Sequence, residues 1–164
     1  MSKTMDNLAE AFAGESQANR KYLAFAKKAE EEGLHQVAKL FRAAALAETV
    51  HAHAHLRVMG GVKGTKENLE EAVGGETHEF MNMYPQMIED AKGEGNRGAQ
   101  MSFMYANTVE KIHAGLYQKA LEAMESLQAV DYYVCDVCGN TVEGEAQEKC
   151  SVCGASKDHF MKVE

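Results

Sequence analysis

The sequence lacks several features, and some of these absences argue against particular classes of protein or partner. Among its 164 residues there are one proline and no tryptophan, and no apolar run is long enough to span a membrane. Acidic residues outnumber basic ones, and the resulting net charge of -8 argues against nucleic acid and anionic membranes as partners. Residues 1–7 lack the apolar segment of a secretory signal, so we expect a cytoplasmic protein.

Cysteine is confined to the C-terminal part of the chain, in two Cys-x-x-Cys pairs. Cys135 pairs with Cys138 and Cys150 with Cys153, each pair is followed by glycine, and 11 residues separate the pairs. Without an export signal, metal binding explains this pattern better than disulfides, and four thiolates suit either zinc or iron. We therefore predict a small metal-stapled domain over residues 131–164, following a larger domain over residues 1–130.

Apolar residues recur at helical spacing through the larger domain and predict four long helices, which favours an all-α four-helix bundle. The predicted helices cover about Met5–Glu32, His35–Met59, Lys66–Lys92 and a last stretch that ends near Leu127. Pro85 lies inside the third of these helices. It should kink that helix or free the carbonyl near Met81.

Two Glu-x-x-His motifs lie in the apolar stripes of the predicted helices. A carboxylate in such a stripe is costly unless something pairs with it, and Glu and His one turn apart can both reach one metal ion. The motif residues and the other acids that enter these stripes are Glu48 with His51, Glu110 with His113, and Glu15, Glu76 and Glu79. One Glu from each of two helices and Glu-x-x-His from the other two is the pattern of di-metal carboxylate bundles. Iron or manganese suits these donors, and geometry alone does not exclude zinc.

The two halves of the predicted bundle are related by an internal repeat. The residues around Glu15 resemble those around Glu76 at an offset of 61, and the two Glu-x-x-His motifs are offset by 62. Glu79 breaks the repeat, because Ala18 occupies the corresponding position in the first half. The repeat thus predicts a pseudo-twofold site with one carboxylate more than symmetry requires.

Taken together, these motifs resemble the rubrerythrin family, in which a ferritin-like di-iron bundle precedes a rubredoxin-like domain. The resemblance covers nearly the whole chain. It implies that Glu48 and Glu110 bridge two irons, that Glu15 and Glu76 are terminal ligands, that His113 holds one iron, and that Glu79 and His51 alternate on the other iron as its redox state changes. It also implies that Tyr22 and Tyr84 hydrogen-bond to ligand carboxylates, although core packing explains both tyrosines equally well.

The resemblance further implies a non-haem peroxidase that reduces hydrogen peroxide to water and protects against oxidative stress. A third iron, held by the four cysteines, would deliver electrons from a rubredoxin or an NAD(P)H-dependent reductase, within a head-to-tail homodimer. Two alternatives remain open. A ferroxidase or O₂-reducing protein would use the same di-iron site, but it needs no built-in electron entry. A zinc-stapled interaction module would not need the seven candidate ligands of the bundle.

Overall fold

The computed structural model describes residues 2–164. Met1 lies outside the described residues; it is the first residue of the stretch 1–7 in which the sequence showed no secretory signal. Helices dominate the chain as far as residue 122, and short strands follow. The helices are α1 (Lys3–Glu31), α2 (His35–Val58), α3 (Thr65–His78), α4 (Tyr84–Gly93) and α5 (Arg97–Glu122), with a π-helical segment (Glu79–Met83) between α3 and α4. The strands are β1 (Tyr132–Cys135), β2 (Thr141–Glu143) and β3 (Phe160–Lys162), with a 3-10 turn at Lys157–His159. The chain forms two compact units, each with most of its contacts within itself. The first unit ends at Lys63 and the second begins at Gly64.

The first unit is a hairpin of α1 and α2, and a glycine turn joins the two helices. Gly33 has φ +75°, and the Leu34 N–H donates to the carbonyl of Ala29 at 2.8 Å. This bond closes the last turn of α1 in the pattern of a Schellman motif, which requires a residue that tolerates positive φ. Gly33 therefore ends α1 at the point where the chain turns back into α2.

Small residues and one buried amide hold α1 against α2. The buried apolar positions of the two helices are all alanines, Ala26, Ala29, Ala38, Ala45 and Ala52. Asn19 of α1 is 7% exposed, and its Nδ2 donates to the Ala45 carbonyl at 2.6 Å and to Thr49 Oγ1 at 2.7 Å. These bonds fix the register of the hairpin, because they join one position of α1 to one turn of α2.

In the second unit, α3, the π-helical segment and α4 all contact α5. Ala91, Val109 and Ala114 are buried there. The last helix ends at Glu122, earlier than the predicted Leu127, in a turn that the Ser126 N–H closes on the Ala123 carbonyl. In residues 2–164, no helix combines the length and the apolarity that crossing a membrane requires.

The third predicted helix is interrupted, and the interruption is a π-turn. The Tyr84 N–H donates to the carbonyl of Glu79, five residues earlier, where an α-helix would use the residue four earlier. This wider turn accounts for a change in the internal repeat: Glu15 and Glu76 are 61 positions apart, but Tyr22 and Tyr84 are 62 apart. Pro85 follows in the first turn of α4, and because proline has no N–H, it donates no bond back to the π-helical segment.

The strands form a small antiparallel sheet of order β2-β1-β3, from which two cysteine turns extend. Each turn ends in a glycine with positive φ, +83° at Gly139 and +80° at Gly154. The Gly139 N–H donates to the Cys135 carbonyl at 2.8 Å, and the Gly154 N–H donates to the Cys150 carbonyl at 2.9 Å. These paired turns bring all four thiols to one place.

Candidate metal centres

Three predicted ligands of the first unit converge, and we call Glu15, Glu48 and His51 the N-terminal cluster. Each side chain offers a donor atom within 4.8 Å of the other two. His51 Nδ1 lies 3.0 Å from Glu48 Oε2 and 3.9 Å from Glu15 Oε1. The Glu-x-x-His spacing puts the two motif residues on one face of α2, and the hairpin register brings Glu15 to them from α1.

The second unit repeats this arrangement in the C-terminal cluster, which consists of Glu76, Glu110 and His113. Their donor atoms also lie within 4.8 Å of one another. His113 Nδ1 lies 2.8 Å from Glu110 Oε2 and 3.8 Å from Glu76 Oε1. The side chain of His113 is 27% exposed, whereas that of His51 is 56% exposed, so the C-terminal cluster is the more enclosed of the two.

Both clusters have the composition and geometry of cation sites. In each, the same imidazole nitrogen, Nδ1, points at two carboxylates. A neutral imidazole nitrogen with a lone pair and a carboxylate oxygen are both acceptors, so a proton or a metal ion must lie between them. Two carboxylates and one imidazole form a donor set that suits iron or manganese. The residues present therefore fit the predicted metal ions.

The electrostatics of the C-terminal cluster indicate that negative charge is crowded there. Burial, and then repulsion from Glu110 and Glu79, raise the pKa of Glu76 from 4.5 to about 7. Carboxylates crowded in this way cannot all ionise without a compensating cation. A bound metal ion would supply that charge.

Glu79 lies beside the C-terminal cluster and is not one of its three converging residues. It begins the π-helical segment, and its charge contributes to the raised pKa values of both Glu76 and Tyr84. Burial is the largest cause of the raised pKa of Tyr84, followed by the charges of Glu79, Glu110 and Glu76. The phenol of Tyr84 therefore keeps its proton among these carboxylates and can donate a hydrogen bond to them.

The two tyrosines that were predicted to support the ligands occupy matching aromatic pairs. The ring centroids of Tyr22 and Phe41 are 6.1 Å apart, and those of Tyr84 and Phe103 are 6.3 Å apart. The interplanar angles are 34° and 38°. Packing thus holds both tyrosine rings, and burial together with the nearby carboxylates raises the pKa of Tyr84.

The four cysteines form a third candidate site. All four are free thiols; Cys135 Sγ lies 3.7 Å from Cys153 Sγ, and Cys138 Sγ lies 3.6 Å from Cys150 Sγ. A disulfide requires about 2.05 Å. Four sulfurs at about 2.3 Å from one tetrahedral metal ion would lie about 3.8 Å apart, close to the distances found. The thiols therefore fit a tetrathiolate metal.

One of these thiols is prepared to ionise. Burial opposes its charge, but the backbone N–H groups of Cys153 and Val152 and the side chain of Asn140 outweigh that effect and lower the pKa of Cys150 to about 6. Asn140 is 1% exposed, and its Nδ2 lies 3.5 Å from Cys150 Sγ. A thiolate is the form that binds metal, so this turn favours the ligand state.

The residues from Tyr132 to Glu164, which we call the cysteine module, contact α5 within the second unit. His113 Nε2 lies 2.9 Å from Thr141 Oγ1, and Lys119 Nζ lies 2.6 Å from Glu143 Oε2. A Cβ built on Gly139 would lie 3.7 Å from Val109 Cγ1, so the first cysteine turn also approaches the helix closely. The module is thus in direct contact with a residue of the C-terminal cluster.

Sequence reasoning missed three residues that organise these sites, namely Asn19, Asn140 and Thr141. Asn19 sets the hairpin register, Asn140 faces a cysteine sulfur, and Thr141 contacts a predicted ligand. For Asn140 and Thr141, the available signal was their position directly after the first Cys-x-x-Cys-Gly turn. For Asn19, a polar residue one turn beyond Glu15 carried no distinctive pattern.

Comparison with known families agrees with these sites. The family model described as Rubrerythrin matches residues 6–121, and the model described as Rubrerythrin, rubredoxin-like domain, matches residues 133–161. Rubrerythrin-2 of Clostridium acetobutylicum is 36% identical over 96% of this chain and 95% of its own length. Nigerythrin of Nitratidesulfovibrio vulgaris is 35% identical over 96% of this chain and 85% of its own length.

Solved structures give the same result. A mixed-valence state of nigerythrin matches 99% of this chain and 88% of its own chain, with a TM-score of 0.59 and 34% identity. The fully reduced, all-ferrous state has a TM-score of 0.60 and 33% identity over the same coverage. The predicted fold class is confirmed: a ferritin-like helical fold with a small C-terminal rubredoxin-like domain. The predicted cofactor classes, a di-iron carboxylate–histidine site and a four-cysteine iron site, are confirmed as well. The chain therefore belongs to the rubrerythrin family.

Proposed function

We propose that this protein is a peroxidase that reduces hydrogen peroxide to water, H₂O₂ + 2e⁻ + 2H⁺ → 2H₂O, and so protects against oxidative stress. The observation that carries the proposal is the contact between the cysteine module and a carboxylate–histidine cluster, through His113 and Thr141. A site that only stores or oxidises iron has no need of an attached electron carrier. A module that only staples an interaction surface has no need of the clusters.

The assignment of the di-iron ligands follows the two clusters of converging donors. We propose that Glu48 and Glu110 bridge the two irons, with Glu15 and Glu76 as terminal ligands and His113 on one iron. His51 and Glu79 would serve the other iron in alternate redox states. The converging donors of each cluster support this assignment for six residues. For Glu79, the support is its electrostatic effect on Glu76 and Tyr84.

When bound, the irons would supply the two electrons that cleave the O–O bond and would recover them through the tetrathiolate iron. The chain's own residues prepare the surroundings. Tyr84 retains its phenolic proton and can hold a ligand carboxylate in place. Glu79, which begins the π-helical segment, adds negative charge next to Glu76 without belonging to the converging set.

Electrons would enter through the cysteine module. Cys135 and Cys150 are buried, whereas Cys138 and Cys153 are partly exposed, so the second cysteine of each turn is the more accessible to a donor. We propose that the donor is a rubredoxin or an NAD(P)H-dependent reductase. Because the module contacts α5 of its own chain, electrons can also pass onward within one chain.

We also propose a head-to-tail homodimer, and mixed dimers provide its test. One subunit would carry Cys138→Ser and its partner would carry Glu110→Ala. If electrons pass between subunits, these mixed dimers recover peroxide reduction. If they pass only within a chain, the mixed dimers remain as inactive as the two parent variants.

The domain boundaries and the compartment belong to the same proposal. We propose a helical domain over residues 1–130 and a rubredoxin-like domain over residues 131–164, and the separate matches of the two family models support this division. We propose the cytoplasm as the site of action, because a tetrathiolate metal site needs its cysteines reduced.

Anaerobic stopped-flow absorbance tests the activity. The fully reduced, iron-loaded protein is mixed with hydrogen peroxide or with O₂, and the return of the ferric tetrathiolate colour is followed. Fast return with peroxide and slow return with O₂ supports the proposal. Fast return with O₂ alone would instead indicate a ferroxidase or oxidase. A colourless protein after growth with iron would show that the cysteines hold zinc.

A further inference from the structure

The two ring nitrogens of His113 have partners in different parts of the second unit. Nδ1 lies 2.8 Å from Glu110 Oε2, on the same helix. Nε2 lies 2.9 Å from Thr141 Oγ1, which begins β2 of the cysteine module. A single imidazole thus connects the C-terminal cluster with the module, and a residue between two such partners has few orientations left to it.

The hydrogen bonds of Thr141 indicate which nitrogen of His113 carries a proton. The Thr141 hydroxyl has one proton, and it donates to the carbonyl of Gly139 at 3.1 Å. When the hydroxyl donates to this carbonyl, its oxygen accepts from the imidazole, and this arrangement places a proton on Nε2. With that proton on Nε2, Nδ1 is the nitrogen whose lone pair is free for a metal ion. This is also the nitrogen that points at Glu110 and Glu76.

We propose that Thr141 is a positioning residue, whose hydroxyl holds the Nε2 proton of His113 and so reserves Nδ1 for the metal of the C-terminal cluster. The hydrogen-bond chain runs from the Gly139 carbonyl through Thr141 to His113. It links the turn that carries Cys138 with the carboxylate cluster. This inference rests on the proposed function only in requiring that Glu76, Glu110 and His113 hold a metal ion.

The position of Thr141 makes this role specific. It follows the first cysteine turn, whose Gly139 has φ +83° and lies close to Val109 of α5. The Thr141 hydroxyl is held by its bond to the Gly139 carbonyl at 3.1 Å, a bond that a serine at this position could also make. Loss of a partner that orients a metal-bound histidine in this way typically weakens metal binding by about 10- to 100-fold.

The Lys119–Glu143 ion pair offers a matched control. It also joins α5 to β2, at 2.6 Å, but it contacts neither nitrogen of His113. Lys119→Met therefore loosens the contact between module and helix without touching the proton on Nε2. An effect of the threonine hydroxyl should appear in Thr141→Val and be absent from Lys119→Met and Thr141→Ser.

The first experiment measures the protonation of the two His113 ring nitrogens by NMR, in the full chain with zinc in the cysteine site. Long-range ¹H–¹⁵N spectra of His113 are recorded before and after a diamagnetic ion, Zn²⁺, is added to the carboxylate site. We expect Nε2 to be protonated in both states and Nδ1 to be the nitrogen that shifts on metal binding. An unprotonated or metal-bound Nε2 in the wild-type protein would overturn the proposal without any variant.

The second experiment measures affinity for Mn²⁺ by electron paramagnetic resonance, because this ion prefers oxygen and nitrogen donors to thiolates. We expect Thr141→Val to weaken binding about 10- to 100-fold, with Thr141→Ser and Lys119→Met close to wild type. Equal affinity in Thr141→Val and wild type would contradict the role of the hydroxyl, as would an equal loss in Lys119→Met. If these results hold but peroxide is not reduced, the proposed function fails and the role of Thr141 stands.

Discussion

The backbone N–H of Tyr84 donates to the carbonyl of Glu79, and this i to i−5 bond makes the turn between them π-helical. The wider turn accommodates one residue more than the matching part of α1, as the shift of the internal repeat from 61 to 62 shows. Glu79 is the acid that has no counterpart in the first half, where Ala18 occupies the matching position. The extra carboxylate and the extra residue thus lie in the same short segment.

Glu79→Gln tests whether this carboxylate takes part in peroxide reduction or is needed to retain the metal ions. Glu79 influences the pKa values of Glu76 and Tyr84 but is not among the three converging donors. We expect iron content to stay near wild type, and the return of colour after peroxide to slow by about 10- to 100-fold. Glu89→Gln, at an exposed position of α4 paired with Lys92, is the control and should react normally. Unchanged peroxide kinetics in Glu79→Gln would contradict a role of Glu79 in peroxide reduction.

The stability of the protein without metal in its carboxylate site should fall as the pH rises from about 4.5 to 7. Glu76 has its pKa raised to about 7, so in this range the folded state binds more protons than the unfolded state. Stability then decreases with pH. The pKa change corresponds to at most about 3 kcal/mol, which screening by solvent reduces to about 1–2 kcal/mol.

Urea unfolding at several pH values between 5 and 8 measures this effect, with zinc retained in the cysteine site. Glu76→Gln removes the titrating group and should flatten the dependence within that window. Stability that rises with pH in the wild-type protein, or an identical slope in Glu76→Gln, would falsify the assignment to Glu76.

Asn19→Ala should destabilise the hairpin of α1 and α2. The substitution removes the two bonds that Asn19 donates to Ala45 and Thr49 and leaves buried acceptors with fewer partners. We expect a loss of about 1–3 kcal/mol in the free energy of unfolding. The matched control is Gln17→Ala, at an exposed position of the same helix. If both variants lose the same small amount, Asn19 does not fix the register.

Cys138→Ser should remove the tetrathiolate colour and stop repeated turnover. Cys138 Sγ lies 3.6 Å from Cys150 Sγ, so its loss opens the four-sulfur set. A variant that is chemically reduced beforehand should still consume one equivalent of peroxide, because the carboxylate clusters are intact. Val137→Ser places the same residue at the exposed neighbouring position and should keep its colour. Loss of that single turnover in Cys138→Ser would show that the two centres are not separable.

The Glu-x-x-His pairs and the cysteine turns could be predicted from the sequence because each depends on local geometry. Glu110 and His113 are one helical turn apart, so they share a face whatever the rest of the chain does. The Cys-x-x-Cys-Gly turns are equally local, since a glycine with positive φ closes each one. A disturbance of the third predicted helix was expected at Pro85, but its π-helical form was missed, although the change of repeat offset from 61 to 62 was its signal.

The sequence by itself therefore determined the helical stripes, the donor residues and the two metal classes, because helix periodicity and turn chemistry act over only a few residues. The tertiary structure decided which distant groups meet. His113 and Thr141 are 28 positions apart, and Asn19 and Ala45 are 26 apart. No periodic pattern encodes such hydrogen bonds, since each depends on the packing of one element against another.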